Sequence, residues 1–253
     1  MATGVSDPSP TRRTFRGRLA DRRSTRYLAS EVARLAALDL HDTDELVDIH
    51  FRSFVGYDHQ GTAPGFRLAL RLLAGRPARI IETGTSAWGV DSTLLFDSYV
   101  RHFGGRLDSV DLRSLPGDRL RPVVGPATHL HVGDSVAFLS GLAEEAEPGP
   151  VDLFYLDSYD LDWTDPAPSE AHVVAEWEAL RGVARPGALV LIDDTPLDVN
   201  WLSRSDLAAA ATANVSATGA MPGKGARLLR ELAADPSVEV LWHGYNVLLR
   251  IRP

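Results

Sequence analysis

Acidic residues stand at the ends of the segments that have the composition of buried strands. The segments are 78–84, 106–112, 128–135, 151–158 and 188–194, and the acids are Glu82, Asp111, Asp134, Asp157, Asp193 and Asp194. In an open α/β sheet, ligands bind outside the carboxyl ends of the parallel strands. A sheet needs no carboxylates there for its own stability, so their repeated placement predicts a ligand site along one edge.

The first two strand ends have residue types that suit a nucleoside. Asp111 is placed to accept hydrogen bonds from ribose hydroxyls, and Gly84 lets a ligand approach the backbone because it has no Cβ atom. The dinucleotide pattern G-x-G-x-x-G is absent, since this stretch offers only Gly84 and Gly89, and Glu82 would repel a phosphate. The pattern favours a nucleoside without a pyrophosphate and disfavours an NAD-dependent enzyme.

Three carboxylates follow the fourth and fifth strands. Asp157 lies in YLDSYD, and Asp193 and Asp194 lie side by side in LIDDT. Adjacent strand ends are about 5 Å apart, so the three side chains could share one octahedral Mg²⁺ ion and leave positions for substrate oxygens. The alternative is that Asp157 contacts the cofactor, Asp193 caps a turn and Asp194 is solvated. Because the chain has no cysteine, any metal here would be held by oxygen or histidine ligands.

With these motifs in this order, the chain resembles the class I S-adenosylmethionine-dependent methyltransferases. The motifs are Glu82-Thr83-Gly84 after the first strand, Asp111, then Gly133-Asp134-Ser135, and a C-terminal hairpin over 238–252. The resemblance implies that Glu82, Gly84, Thr85 and Ser86 surround the methionine part, Asp111 binds the ribose, residues 133–135 border the adenine, and Asp157 also contacts the cofactor. Asp134 and Ser135 fit a helix N-cap equally well.

Within that class the acids at 157, 193 and 194 resemble those of metal-dependent O-methyltransferases. The catechol type has Asp after the fourth strand and Asp-Asn after the fifth, whereas the macrocin type has Asp-Asp there, as in this chain. The resemblance implies S-adenosylmethionine and Mg²⁺ as cofactors and a small-molecule hydroxyl as acceptor. A bound Mg²⁺ would lower the pKa of that hydroxyl and align it with the methyl group.

The base that accepts the acceptor's proton is left open by the sequence. The catechol type has a lysine three residues after its first metal ligand, where this chain has Asp160. The candidates are Asp160, Asp162 and His172, of which an imidazole titrates in the useful range. The one lysine of the chain, Lys224, lies in MPGKGARLL, which lacks the P-loop spacing. We expect it to be a solvated loop residue or to contact an anionic group of the substrate.

The remaining elements must position these side chains. Strands alternating with helices predict an α/β fold, a Rossmann-like doubly wound seven-stranded sheet that is mostly parallel and closes with an antiparallel hairpin. We divide the chain into a flexible Arg-rich tail (1–25), an N-terminal helical cap (26–75) and the Rossmann-like domain (76–253). Loops 156–169 and 195–207, with Trp163, Asn200 and Trp201, are expected to cover the acceptor. Trp88 is expected to line the methionine pocket or to brace the next helix.

Composition narrows the class of protein. The 253 residues carry a net charge of −8, which disfavours nucleic-acid binding, and no apolar run has the roughly 18 residues of a membrane span. The absence of a secretory signal pattern favours a cytoplasmic small-molecule enzyme, whose N-terminal helices cover the acceptor or form a homodimer contact. The rival functions are a metal-independent N- or O-methyltransferase and a non-catalytic nucleoside-binding protein on the same fold.

Overall fold

One mixed sheet organises the molecule. The computed structural model describes residues 15–86, 89–142 and 150–253, with side chains from Arg26 onward. Within these ranges seven strands form the order β3-β2-β1-β4-β5-β7-β6. They are β1 (Ala78–Thr83), β2 (Gly105–Asp111), β3 (Thr128–Val132), β4 (Val151–Leu156), β5 (Ala184–Ile192), β6 (Val238–His243) and β7 (Val247–Ile251). Strands β1 to β5 pair in parallel and β7 is antiparallel to β5 and β6, which confirms the predicted fold class.

The register of the central strands brings their ends to one level. Thr83 of β1 is opposite both Val110 of β2 and Leu156 of β4, and Leu156 is opposite Ile192 of β5. The residues that follow these positions therefore emerge together at the carboxyl edge. Because the strand order reverses between β1 and β4, this edge also contains the crevice where open α/β sheets bind ligands.

Helices cover both faces of the sheet. They are α1 (Phe15–Ala36), α2 (Thr43–Ser53), α3 (Ala63–Leu73), α4 (Ser92–Phe103), α5 (Ser114–Leu120), α6 (Ser135–Gly141), α7 (Ala167–Arg181), α8 (Ser205–Thr218) and α9 (Ala226–Leu232). Successive strand residues alternate between the two cores: Ile80 packs with α2, α3 and α4, whereas Ile81 packs with α6, α7 and α9. Both are fully buried, as expected for strands covered on two sides.

The N-terminal helices are more extensive than the sequence pattern indicated. Helix α1 begins at Phe15, inside the segment 1–25 that we assigned to the tail. Helix α2 begins after Asp42, whose side chain caps it by accepting a hydrogen bond from the Asp44 amide. Phe66 of α3 is fully buried and packs 5.1 Å from the ring of Tyr155 in β4. Helices α2 and α3 therefore belong to the same hydrophobic core as the sheet.

Two further helices were not predicted from the sequence. Helix α5 was not predicted because its sequence SLPGDRL contains proline and glycine. Helix α8 is alanine-rich and buries only Ala211, so it has little amphipathic pattern to detect. Helix α6 ends at Gly141, and residues 143–149 lie outside the described ranges. None of the helices in the described ranges combines the length and apolar character needed to cross a bilayer.

Candidate functional site

A cavity of about 650 Å³ lies at the carboxyl edge of the sheet. This volume is within the range of roughly 300–1,000 Å³ that small-molecule and cofactor sites have. Of the residues singled out from the sequence, its lining contains Gly84, Thr85, Ser86, Asp111, Asp157, Asp160, Asp193 and Asp194. Glu82, residues 133–135 and His172 do not line it. The structure thus brings together the ends of β1, β2, β4 and β5 around one cavity.

Glu82 lies beneath the cavity and is fully buried. Its carboxyl oxygens accept hydrogen bonds from the hydroxyls of Ser92, Thr93 and Ser109, each at 2.5 Å. Burial raises its pKa to about 7, although the three hydroxyls oppose the rise. Thr85, whose hydroxyl is 2.8 Å from that of Ser109, extends the network to the cavity wall. Glu82 therefore joins β1, β2 and α4 under the site.

Two residues with positive φ, Gly84 and Ser86, shape the loop after β1. Gly84 has φ +85°, and a Cβ atom there would be 2.3 Å from the carbonyl oxygen of Asp157. Glycine is thus required at position 84 because the end of β4 lies so close, whether or not a ligand also approaches the backbone there. Ser86 has φ +61° and donates its hydroxyl to Asp91 at 2.6 Å. Trp88 lies outside the described residues.

The second and third strand ends differ in how they face the cavity. Asp111 is nearly buried, and its Oδ1 accepts hydrogen bonds from the backbone and side-chain nitrogens of Arg113 at 2.7 and 3.2 Å. Asp134 is exposed and caps α6 by accepting a hydrogen bond from the Ala137 amide at 2.8 Å. Gly133 has open space where a Cβ atom would be. Of these residues, only Asp111 and Arg113 line the cavity.

His172 belongs to a separate polar cluster on α7. Its Nε2 is 2.8 Å from the hydroxyl of Ser158 and 3.0 Å from that of Ser135. Ser158 also donates to the buried Glu176 at 2.7 Å. Hydrogen bonding by the Glu176 carboxylate, together with its charge, raises the pKa of His172. Ser158 lines the cavity, so His172 supports the cavity wall from behind.

Lys224 lies among the three acids for which the sequence predicted a metal ion. Its Nζ contacts the Asp157 carboxylate and is 3.1 Å from Asp194. Tyr245 donates its hydroxyl to the same Asp194 at 2.6 Å. Lys224 is only 2% exposed. The expectation of a solvated loop residue is therefore wrong, because the fold returns residue 224 to the ends of β4 and β5.

The two glycines beside Lys224 explain how the ammonium reaches this position. The Lys224 amide donates to the Asp194 carbonyl at 2.9 Å, and the Gly225 amide donates to the Thr195 hydroxyl at 2.9 Å. A Cβ atom on Gly223 would be 3.0 Å from the Asp194 carbonyl oxygen. The G-K-G segment thus lies directly against the backbone after β5 and directs the lysine inward.

The charges of this cluster follow from burial and mutual contact. Burial raises the pKa of Asp157 to about 6 and that of Asp193 well above its usual range. Burial also opposes the charges of Asp194 and Lys224, but their attraction outweighs it, so the pKa of Asp194 is lowered and that of Lys224 is raised. At neutral pH the cluster therefore contains the Lys224 ammonium and ionised Asp157 and Asp194, and burial disfavours a charge on Asp193.

The cavity wall also contains a histidine that the sequence analysis missed. His59 lies in a short 3₁₀ helix (Tyr57–Thr62), lines the cavity and is near enough to Asp194 to act on it electrostatically. A Cβ atom on Gly89 would be 2.3 Å from its Nε2, so the glycine makes room for the ring. The motif Y-D-H-Q-G has no periodicity that would have identified it. Asp160 is exposed on the same cavity.

The tryptophans of the two covering loops pack into the protein. Trp163 lines the cavity but is 8% exposed and belongs to a cluster with Leu202 and Ala211. Trp201 does not line the cavity and instead contacts Trp242 edge to face, with ring centroids 5.8 Å apart. Asn200 is exposed outside it. Loop 156–169 thus contributes a packed wall to the cavity through Trp163.

Comparison with known proteins extends the description of the fold. No family model matches the chain, and no curated protein matches it. Among solved structures, the MycE methyltransferase of the mycinamycin biosynthetic pathway, in complex with Mg, SAH and mycinamycin VI, is 20% identical with a TM-score of 0.54. The match covers 83% of this chain and 54% of MycE, so the chain spans about half the length of that protein.

Two other similar structures are closer to this chain in length. The calicheamicin methyltransferase CalS11 is 15% identical, with a TM-score of 0.50 over 99% of this chain and 98% of its own. A putative O-methyltransferase from Klebsiella pneumoniae is 16% identical, with a TM-score of 0.50 over 91% of this chain and 97% of its own. At these identities the likeness shows a shared Rossmann-like methyltransferase fold.

Proposed function

We propose that the chain is an S-adenosylmethionine-dependent methyltransferase that methylates a hydroxyl group of a small molecule. One observation carries the proposal: a single cavity is lined by Gly84 and Asp111 after β1 and β2, by the acids after β4 and β5, and by His59. The fold shared with MycE and CalS11 supports it. The acceptor class follows from the cavity, whose mixed polar and apolar lining suits a small molecule.

The carboxylate of Asp111 can accept a hydrogen bond from a nucleoside in the cavity. Both hydrogen bonds that Asp111 accepts within the described chain go to Oδ1, which leaves Oδ2 for a ribose hydroxyl. When bound, the cofactor supplies a methyl group whose bond to the sulfonium sulfur breaks as the acceptor oxygen bonds to the carbon, the sulfur keeping the electron pair. The carboxyl of Asp157 lines the cavity and does not repel a cationic sulfonium, and the buried Glu82 lies behind it.

The chain's own contribution is to position the acceptor and to take up its proton. His59 and Asp160 both line the cavity. We assign the part of the cavity beside His59, the acceptor end, to the acceptor, and proton transfer to His59, because imidazole is the commonest general base. Asp160 remains the second candidate. His172, which contacts Ser135 and Ser158, is assigned to supporting the cofactor side rather than to the chemical step.

The predicted Mg²⁺ does not fit the residues as they are arranged. In the described part of the chain no group of three or more acidic or histidine side chains is placed to hold a metal ion. The acids that would do so enclose Lys224, whose ammonium contacts Asp157 and Asp194. No step of the proposed reaction is therefore assigned to a metal, although MycE was solved with Mg.

Transfer of a labelled methyl group tests the proposal. The protein would be incubated with S-adenosylmethionine carrying a tritiated methyl group and a panel of glycosylated, phenolic and aliphatic alcohols. We expect label in an ether product of at least one acceptor and loss of transfer in Asp111→Ala. Binding of the cofactor without transfer to any acceptor would favour the rival, a non-catalytic nucleoside-binding protein.

A further inference from the structure

We propose that the Lys224 ammonium takes the place of a divalent cation in the acidic cluster after β4 and β5, so that this chain acts without a metal. The inference rests on the proposed methyl transfer for its chemical meaning. Its structural claim, that a lysine is the resident cation of a three-carboxylate site, can be tested with no cofactor or acceptor present.

The first argument is the position of the ammonium. Lys224 Nζ contacts Asp157 after β4 and lies 3.1 Å from Asp194 after β5, so it bridges the two strand ends. The side chains of Lys224 and Asp157 are 3% and 9% exposed. From the sequence we expected Mg²⁺ to bridge these acids. In the structure the Lys224 ammonium occupies that bridging position.

The second argument is that most of the oxygens needed as metal ligands already accept protein hydrogen bonds. Asp194 accepts from Tyr245 through Oδ1 and contacts Lys224 through Oδ2. Asp193 accepts from Tyr155 through Oδ2 at 2.9 Å. Asp157 contacts Lys224 through Oδ1, and Oδ1 of Asp193 is buried without a hydrogen-bond partner in the described structure. Few oxygens of the cluster are thus left for a hard divalent ion, which takes about six oxygen ligands.

The third argument is that the backbone is built to hold the lysine in place. The amides of residues 224 and 225 donate to Asp194 and Thr195, and Gly223 allows the two segments to touch. A lysine that merely neutralised surface charge would need no such contacts, and it would lose side-chain entropy on being fixed. Lys224 is thus a positioning residue that keeps the two carboxylates together beside the cavity.

The chemical consequence concerns charge. Replacing a divalent ion by an ammonium leaves a fixed cation near the acceptor end without the pKa lowering that a metal-bound oxygen would undergo. Removal of the acceptor's proton therefore depends on a protein base, which agrees with a histidine at the acceptor end of the cavity.

Manganese binding provides the direct test. Mn²⁺ would be titrated into the wild-type protein and Lys224→Ala, with free Mn²⁺ followed by electron paramagnetic resonance. We expect the wild type to bind no Mn²⁺ at this site below millimolar concentration. Lys224→Ala should bind one ion with an affinity higher than that of the wild type by about tenfold or more, because three carboxylates are then left without a cation. Asp194→Asn in the Lys224→Ala background should abolish the gain.

A matched control removes a cation from acids elsewhere. Arg67 pairs with Asp44 and Asp48 on the surface, so Arg67→Ala should not create a manganese site. Two outcomes would overturn the proposal. One is stoichiometric Mn²⁺ binding by the wild type that Asp194→Asn abolishes, and the other is no gain of binding in a folded Lys224→Ala protein.

A second measurement decides the question even if Lys224→Ala does not fold. Because the chain has one lysine, lysine labelled with ¹³C at Cε gives a single internal side-chain resonance. We expect that resonance to persist through addition of one equivalent of Mn²⁺, whereas an ion bound by Asp157 and Asp194 would broaden it beyond detection. Since neither measurement uses S-adenosylmethionine, failure of cofactor binding would overturn the proposed function and leave this result standing.

Discussion

Among single residues, Glu82 is a buried acid that supports the cavity without lining it. Three hydroxyls donate to it, and burial raises its pKa from 4.5 to about 7. A group whose pKa is raised on folding contributes stability that is fully present below its unfolded pKa and is lost as pH rises through its folded pKa. For Glu82 that interval runs from about pH 4.5 to about 7.

Glu82→Gln should therefore change how stability depends on pH. The difference in free energy of unfolding between Glu82→Gln and the wild type should grow by about 3 kcal/mol from pH 5 to pH 8. The reason is that the wild type loses stability as Glu82 ionises, whereas the amide does not ionise. Chemical denaturation at several pH values measures this difference. Glu178→Gln, at an exposed position on α7, is the control, and parallel profiles for wild type and Glu82→Gln would contradict the account.

His59 is the residue on which the proposed proton transfer depends. His59→Ala should lower kcat by a factor of about 10²–10⁴ and change the affinity for the cofactor little, since His59 lies at the acceptor end. Gly89→Ala should lower kcat in the same direction, because its Cβ atom would displace the ring. Kinetics with an acceptor from the labelling assay measure both. His41→Ala, at an exposed histidine, should have no effect, and an unchanged kcat in His59→Ala would refute the assignment.

The difference between the acids and Lys224 shows what a sequence can reveal about a site. Asp157, Asp193 and Asp194 were recognisable because each directly follows an apolar strand, which fixes its place at the carboxyl edge. Lys224 lies 67 residues from its partner Asp157, in a loop without periodic pattern. Only the three-dimensional path of the chain brings these two together, so its role could not be predicted from local spacing.

At the scale of elements, α3 links the N-terminal helices to the sheet. Phe66 packs against Phe51 of α2, Phe96 of α4 and Tyr155 of β4, with ring centroids 5.1–6.1 Å apart. Tyr155 in turn donates to Asp193 in the acidic cluster. The helices expected to form a cap over the acceptor thus support the site from within the core.

Phe66→Ala should lower the free energy of unfolding by about 3–5 kcal/mol, because it removes a fully buried ring shared by four elements. Thermal or chemical denaturation measures the loss. Tyr57→Ala, at an aromatic residue that is 88% exposed, is the matched control and should change stability by less than about 0.5 kcal/mol. Similar losses for both variants would show that α2 and α3 pack less closely than described.

The elements also differ in how far the sequence determined them. Strands β1 and β4 were predicted within two residues of their ends, because apolar runs are strong local signals. Helix α8, with one buried residue, and the 3₁₀ helix at 57–62 have no such signal, because their positions depend on contacts with distant segments. These weakly encoded segments nevertheless contribute to the cavity wall, where Leu207 and His59 line the cavity.

At the scale of the whole molecule, the cavity connects two chemically distinct ends along the order of the strands. Asp111 after β2 and Gly84 after β1 lie at one end, and the acidic cluster after β4 and β5 leads to the other. In the proposed function, this order would place the nucleoside on one side of the switch between β1 and β4 and the acceptor on the other. A net charge of −8 is compatible with binding a cationic sulfonium.

Calorimetric titration with S-adenosylhomocysteine tests the central claim most directly, since it requires neither an acceptor nor a metal. We expect one site per chain, with affinity reduced about 10- to 100-fold in Asp111→Ala because hydrogen bonds to the charged carboxylate are lost. Affinity should be unchanged in Asp118→Ala, an exposed acid on α5 outside the cavity. Absence of binding at millimolar ligand, or equal affinity in Asp111→Ala, would contradict the assignment of this cavity to the cofactor.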